Sequence, residues 1–194
     1  MGQEIMVQTL RNAFKTNRIA HAYILTGVRG IGKTTTARLL ARSLNYETET
    51  INEPNIEMSE LGRHCLEIME SRHIDVIEMD AASRTGIADI REIIDSVNYS
   101  PSSARYKIYI IDEVHMLSKA AFNGLLKTLE EPPSHVKFIF ATTEVQKIPL
   151  TILSRCQRFD LKRFDHDMIK SLLNNVCEKE MVSIEDPIID LIAK

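Results

Sequence analysis

Gly27-Val28-Arg29-Gly30-Ile31-Gly32-Lys33-Thr34 follows the apolar run Ala22-Tyr23-Ile24-Leu25-Thr26. It precedes Thr35-Thr36-Ala37-Arg38-Leu39-Leu40-Ala41-Arg42-Ser43-Leu44, whose spacing is helical. A glycine-rich loop between a buried strand and a helix start has the context of a phosphate-binding P-loop. Gly27, Gly30 and Gly32 let the backbone turn tightly and present N–H groups to a ligand. The helix behind adds the positive end of its dipole. In this pattern Lys33 reaches the β- and γ-phosphates of ATP or GTP. Thr34 places its hydroxyl on Mg²⁺, and Thr35 follows it on the nucleotide side.

Composition sets the frame. The 194 residues suffice for one substantial core and a small second unit. A net charge of −3 gives no global argument for nucleic acid, so any such surface is local or shared. No apolar run approaches membrane-spanning length. Cys65, Cys156 and Cys177 are odd in number and far apart, which speaks against a disulfide framework and for a reducing cytoplasm.

Outward from the loop, strand and helix patterns alternate. Helices are expected over 4–18, 61–71, 86–97 and 120–130, and Ile87, Ile90, Ile94 and Val97 share one face. Strands are expected near 75–79, 107–111, 136–142 and 157–161. This is an α/β pattern, a parallel sheet flanked by helices. Residues 46–60 are polar and aperiodic, as a surface insertion would be. Beyond Phe164 the pattern is helical only, over 168–178 and 187–194. The reading is therefore two domains, 1–163 for nucleotide and 164–194 as the start of a small helical lid.

Two further segments carry chemistry. Ile108-Tyr109-Ile110-Ile111-Asp112-Glu113 puts two carboxylates at the carboxyl end of a buried strand, where open α/β sheets bind ligands. Asp112 there suits Mg²⁺, and Glu113 suits orienting and deprotonating a water. Phe138-Ile139-Phe140-Ala141-Thr142-Thr143 ends a strand in hydroxyls that suit the attacking water or the γ-phosphate. Arg155, in Ser154-Arg155-Cys156, reads as surface charge ahead of an arginine finger; its position alone does not decide.

At this density of motifs the chain resembles the AAA+ ATPases, and among them the gamma/tau clamp-loader subunits of bacterial DNA polymerase III. The matching residues are Gly2-Gln3-Glu4, His21-Ala22-Tyr23, the P-loop, Glu78-Met79-Asp80-Ala81-Ala82-Ser83, Tyr109 to Leu117, Phe122 to Pro133 and Leu153-Ser154-Arg155-Cys156. The resemblance implies a motor subunit that uses ATP to load a sliding clamp onto primer–template DNA. It works beside other clamp-loader subunits, within a nucleotidyl-transferring polymerase holoenzyme. It assigns Lys33 and Thr34 to phosphate and Mg²⁺, and Asp112 and Glu113 to the acidic motif. Thr143 becomes the sensor, and Arg155 a finger acting in trans on a neighbour's ATP. An isolated chain should bind nucleotide but hydrolyse it slowly, and is expected to be monomeric.

Two departures stand out. The family's insertion carries four zinc-binding cysteines, whereas only Cys65 stands here, with Ser59 and Gly62 at two of the other places. No zinc is expected, and Cys65 reads as a small buried apolar residue. The family's lid arginine and collar would lie past Lys194, so the chain reads as a fragment. Two rivals remain: a helicase, from the letters Asp112-Glu113-Val114-His115, and a non-hydrolysing scaffold. Arg84, Arg105 and Lys119 are scattered candidates for DNA contact.

Overall fold

The apolar runs become strands buried on both faces. The computed structural model describes residues 2–84 and 86–193, without the side chains of Ile87 and Asp89. The expectations for Ile87 and for a helix reaching Lys194 lie outside the described residues. β1 (Ala22–Thr26), β2 (Val76–Asp80), β3 (Lys107–Asp112), β4 (Val136–Thr142) and β5 (Gln157–Asp160) form a parallel sheet ordered β2-β3-β4-β1-β5. Every residue of β1 and β4 is buried, as a parallel sheet covered by helices requires.

The two faces separate by the period of two along each strand. Ile24, Tyr109, Ile111, Phe138 and Phe140 face α4 (Ile87–Val97) and α5 (Lys119–Glu130) through Ile90, Ile93, Phe122 and Leu125. Tyr23, Leu25, Ile108, Ile110 and Ile139 face the other layer. That layer comprises α1 (Glu4–Lys15), α2 (Lys33–Leu44) and α3 (Cys65–Met69), through Met6, Leu10, Leu40, Leu44 and Ile68. α6 (Leu150–Leu153) is a single turn ahead of β5.

Two compact units result, Met6–Leu161 and Met1–Ile5 with Lys162–Lys194. The second contains α7 (His166–Lys179) and α8 (Asp186–Ile192). Asp165 caps α7 by accepting from the Met168 N–H at 2.8 Å. Gln3 joins this unit through hydrogen bonds with Lys162. The first residues thus group with the last, which a reading in chain order did not anticipate.

Residues 46–60 lie at the surface as expected, with Tyr46 alone buried, and the segment is tied to the body of the fold. Tyr46 is fully buried and its hydroxyl donates to the Glu60 carbonyl at 3.2 Å. Asn45 exchanges two hydrogen bonds with the Tyr106 backbone. Arg105 donates to the carbonyls of Leu44 and Tyr46 and to Asn52. It is a strut for this segment, and not the free cation that DNA contact requires. The expected helix over 61–71 shortens to Cys65–Met69, because the chain before it folds back on Glu47 through the Arg63 N–H. Cys65 is buried, and all three cysteines are free thiols.

Candidate functional site

The site forms where β1, β3 and β4 end on the same edge of the sheet. Thr26 sits opposite Thr142, and Asp80 opposite Asp112, so these strands finish level with one another. The P-loop leaves β1 there. Gly30 and Gly32 adopt φ of 81° and 89°, a region that side chains strongly disfavour. Gly32 is the N-cap of α2 and offers no side-chain acceptor, so the helix's first N–H groups remain available to an anion.

Lys33 is 5% exposed and folds back over the loop. Its Nζ donates to the carbonyls of Gly27 and Val28 at 3.0 and 3.1 Å. Those carbonyls hold the ammonium at the mouth of the loop, where a phosphate would offer a stronger, charged acceptor. Thr35 is exposed on the first turn of α2.

Thr34 and Asp112 meet directly. The Thr34 hydroxyl donates to Asp112 Oδ2 at 2.5 Å, while Oδ1 accepts the Glu113 N–H at 2.8 Å. A hydroxyl and a carboxylate converging at the P-loop are the hard oxygen donors that Mg²⁺ takes alongside phosphates.

Glu113 follows in a left-handed conformation, with φ 45° and ψ 44°. For a residue with a side chain this costs about 1–3 kcal/mol and clusters at functional sites. It begins a 3-10 turn, Val114–Met116, anchored by the fully buried Val114. Glu113 Oε2 accepts from the Thr143 N–H at 3.1 Å and from its hydroxyl at 3.0 Å. His115 Nδ1 lies 3.3 Å from the same oxygen. Thr143 and Glu113 are thus brought together, whereas Thr142 is fully buried and bonds His115. The motif letters pointed to Glu113 and Thr143. Nothing in them signalled that His115 would fold back onto both.

Arg155 stands elsewhere. It precedes β5, and Gln157 pairs with Tyr23 near the start of β1. The five residues of β1, at about 3.3 Å each, separate it from the P-loop by about 15 Å. Its guanidinium donates to Glu130 Oε1 at 2.7 Å and to the Thr151 carbonyl at 2.6 Å. Burial pushes the neighbouring Cys156 thiol up to about 12, which leaves it an inert packing group.

The segment after α2 does not assemble a tetrahedral zinc set. A Cβ at Gly62 would stand 2.8 Å from the Glu47 carbonyl and 3.0 Å from the Tyr46 ring. His64 and His73 bond each other at 2.9 Å instead. Among the described residues, no three His, Cys, Asp or Glu are grouped to hold a metal ion. Among them also, no helix is long and apolar enough to cross a membrane.

Known proteins agree with this architecture. Over the whole chain it is 48% identical to the DNA polymerase III subunit tau of Escherichia coli, and over 193 residues 48% identical to that of Bacillus subtilis. It is 45% identical to subunit gamma of a Buchnera aphidicola strain, covering 51% of it. The chain spans 30% of the E. coli protein and 34% of the B. subtilis one. Among solved structures, it resembles a DNA polymerase III gamma subunit-related protein of Thermotoga maritima. The TM-score is 0.59 at 23% identity, over 89% of this chain and 52% of that one. It also resembles the T. maritima RuvB Holliday junction branch migration motor, with TM-score 0.65 at 20% identity, over 98% and 54%. The fold, a P-loop parallel sheet flanked by helices, is the one these structures share. With residues 2–165 matching the family described as "DNA polymerase III, delta subunit", the chain belongs to that family.

Proposed function

We propose that this chain binds ATP with Mg²⁺ and hydrolyses it as part of a clamp-loader motor subunit in bacterial DNA replication. The observation that carries the reading is the convergence of Lys33, Thr34, Asp112, Glu113 and Thr143 on one sheet edge. Lys33 and the P-loop N–H groups of Gly27, Gly30 and Gly32 take the phosphates, with Thr35 beside them. Thr34 and Asp112 hold Mg²⁺, which neutralises phosphate charge when bound. Glu113 accepts a proton from the attacking water, and the Thr143 hydroxyl fixes that water's position. Residues 1–163 are the nucleotide-binding domain and 164–194 the beginning of a helical lid.

Arg155 acts on a neighbouring subunit's ATP. Its separation from its own P-loop by the length of β1 supports that role, and exchanging Glu130 for a γ-phosphate would complete it. The partners are other loader subunits, a sliding clamp and primer–template DNA, within a cytoplasmic polymerase holoenzyme.

ATPase assays on the reconstituted assembly test this. Lys33→Ala should abolish hydrolysis through loss of binding. Arg155→Ala should slow it about 10³-fold or more while this chain still binds ATP. Unchanged rates in both variants would sink the motor reading. Loss with Lys33→Ala alone would sink the trans finger.

A further inference from the structure

The 3-10 turn after Glu113 brings a second ionisable ring into the site. His115 is 6% exposed at its side chain. Its Nδ1 lies 3.0 Å from Thr142 Oγ1 and 3.3 Å from Glu113 Oε2, while Nε2 lies 3.3 Å from Glu144 Oε1. Nδ1 thus faces a hydroxyl and a carboxylate oxygen, and a turned ring would take it away from both.

The partners are themselves fixed. Thr142 is fully buried and its hydroxyl already accepts the Glu144 N–H at 3.0 Å. Glu144 is held by Lys147 at 2.8 Å, which keeps its carboxyl below the usual range and so an acceptor. The described contacts to the Glu113 carboxylate, from Thr143 and His115, all fall on Oε2. They orient the carboxylate and leave Oε1 for a water. A general base works only if its lone pair points at the proton it removes.

We infer that His115 is a positioning residue for Glu113: with the ring proton on Nδ1, that N–H faces Glu113 Oε2 and Thr142 Oγ1 and holds the carboxylate in place. This rests on the hydrolytic reading above and adds to it a residue outside the P-loop, the acidic pair and the strand-end threonine. The role belongs to Nδ1, and the two amide substitutions separate it from Nε2. Asparagine places an amide near Nδ1, and glutamine places one near Nε2.

The test uses the whole protein and the variants His115→Leu, His115→Asn and His115→Gln. Single-turnover hydrolysis, the dissociation constant for a fluorescent ATP analogue and thermal unfolding are measured for each. His115→Leu should slow hydrolysis about tenfold or more, the scale of one lost polar contact to a charged group, with analogue affinity within about twofold. His115→Asn should recover to within about threefold of wild type, and His115→Gln should remain slow.

A wild-type rate in His115→Leu, or equal recovery by Asn and Gln, would overturn the role. So would loss of analogue affinity in step with the rate. If the Leu variant does not fold, the difference between Asn and Gln still decides. Lys33→Ala, run in parallel, separates the two ideas: hydrolysis that survives it overturns the hydrolytic reading itself. Its loss there beside a wild-type His115→Leu overturns only the positioning role.

Discussion

Thr143 grips the Glu113 carboxylate twice, with its N–H at 3.1 Å and its hydroxyl at 3.0 Å, both on Oε2. The backbone donor survives a change to valine or serine, so Thr143→Val isolates the hydroxyl. It should lower single-turnover hydrolysis about tenfold to a hundredfold, as for one hydrogen bond to a charged group. MgATP affinity should stay within about twofold, and Thr143→Ser should retain most of the rate. Equal losses in Val and Ser would mean that the methyl packing matters and the hydroxyl does not.

The segment after α2 should make the fold acid-sensitive. The Asp75 N–H donates to His73 Nδ1 at 3.1 Å, so the His73 proton resides on Nε2 and is given to His64 Nδ1 at 2.9 Å. Burial, with His64 beside it, holds His73 below its usual 6.5. A base depressed in the fold stabilises it fully above about pH 6.5. That stability is lost as pH falls from 6.5 toward the lower folded value, where the unfolded chain takes the proton first. Urea unfolding at pH 7.5 and 5.5 should show the wild type losing stability at the lower pH. His73→Gln should lose less across that interval. Identical slopes for the two proteins would contradict the assignment.

Lys137 is a cost that the fold tolerates. It is 3% exposed on β4, with its ammonium 4.9 Å from the Tyr106 ring centre and 3.5 Å from His21 Nδ1. Burial pulls its pKa down from 10.5 to about 8. At pH 7 the folded protein still carries that disfavoured charge, whereas above about 10.5 neither state does. Lys137→Met keeps the stem and removes the charge. It should stabilise the protein at pH 7 by about 1–3 kcal/mol, with the gain shrinking as pH rises from 8 to 10.5. Destabilisation at pH 7 would show that the cation–π contact outweighs burial.

Much of this was legible because each element carries its own local signal. Ala22 to Thr26 and Val136 to Thr142 are apolar enough to demand cover on both faces. The glycines mark the loop between β1 and α2, and Asp112-Glu113 sits where an apolar strand stops. What escaped depends on contacts distant in sequence. Tyr46 and Arg105 looked like surface residues because the partners that bury or bind them, Glu60 and Leu44 with Asn52, follow no period. His115 was a letter in a motif. Its place beside Glu113 comes from the left-handed turn at Glu113. The grouping of Gln3 with Lys162 spans the chain and leaves no local trace.

Glu113→Gln tests most directly whether Glu113 acts on water while Lys33, Thr34 and Asp112 hold MgATP. The amide keeps the size and the hydrogen-bonding reach of the carboxylate but cannot take a proton. MgATP affinity and single-turnover hydrolysis should be measured on the same preparation, in the assembled complex. Affinity should stay within about twofold of wild type and hydrolysis should slow about a hundredfold or more. Hydrolysis at the wild-type rate in Glu113→Gln would contradict that role for Glu113.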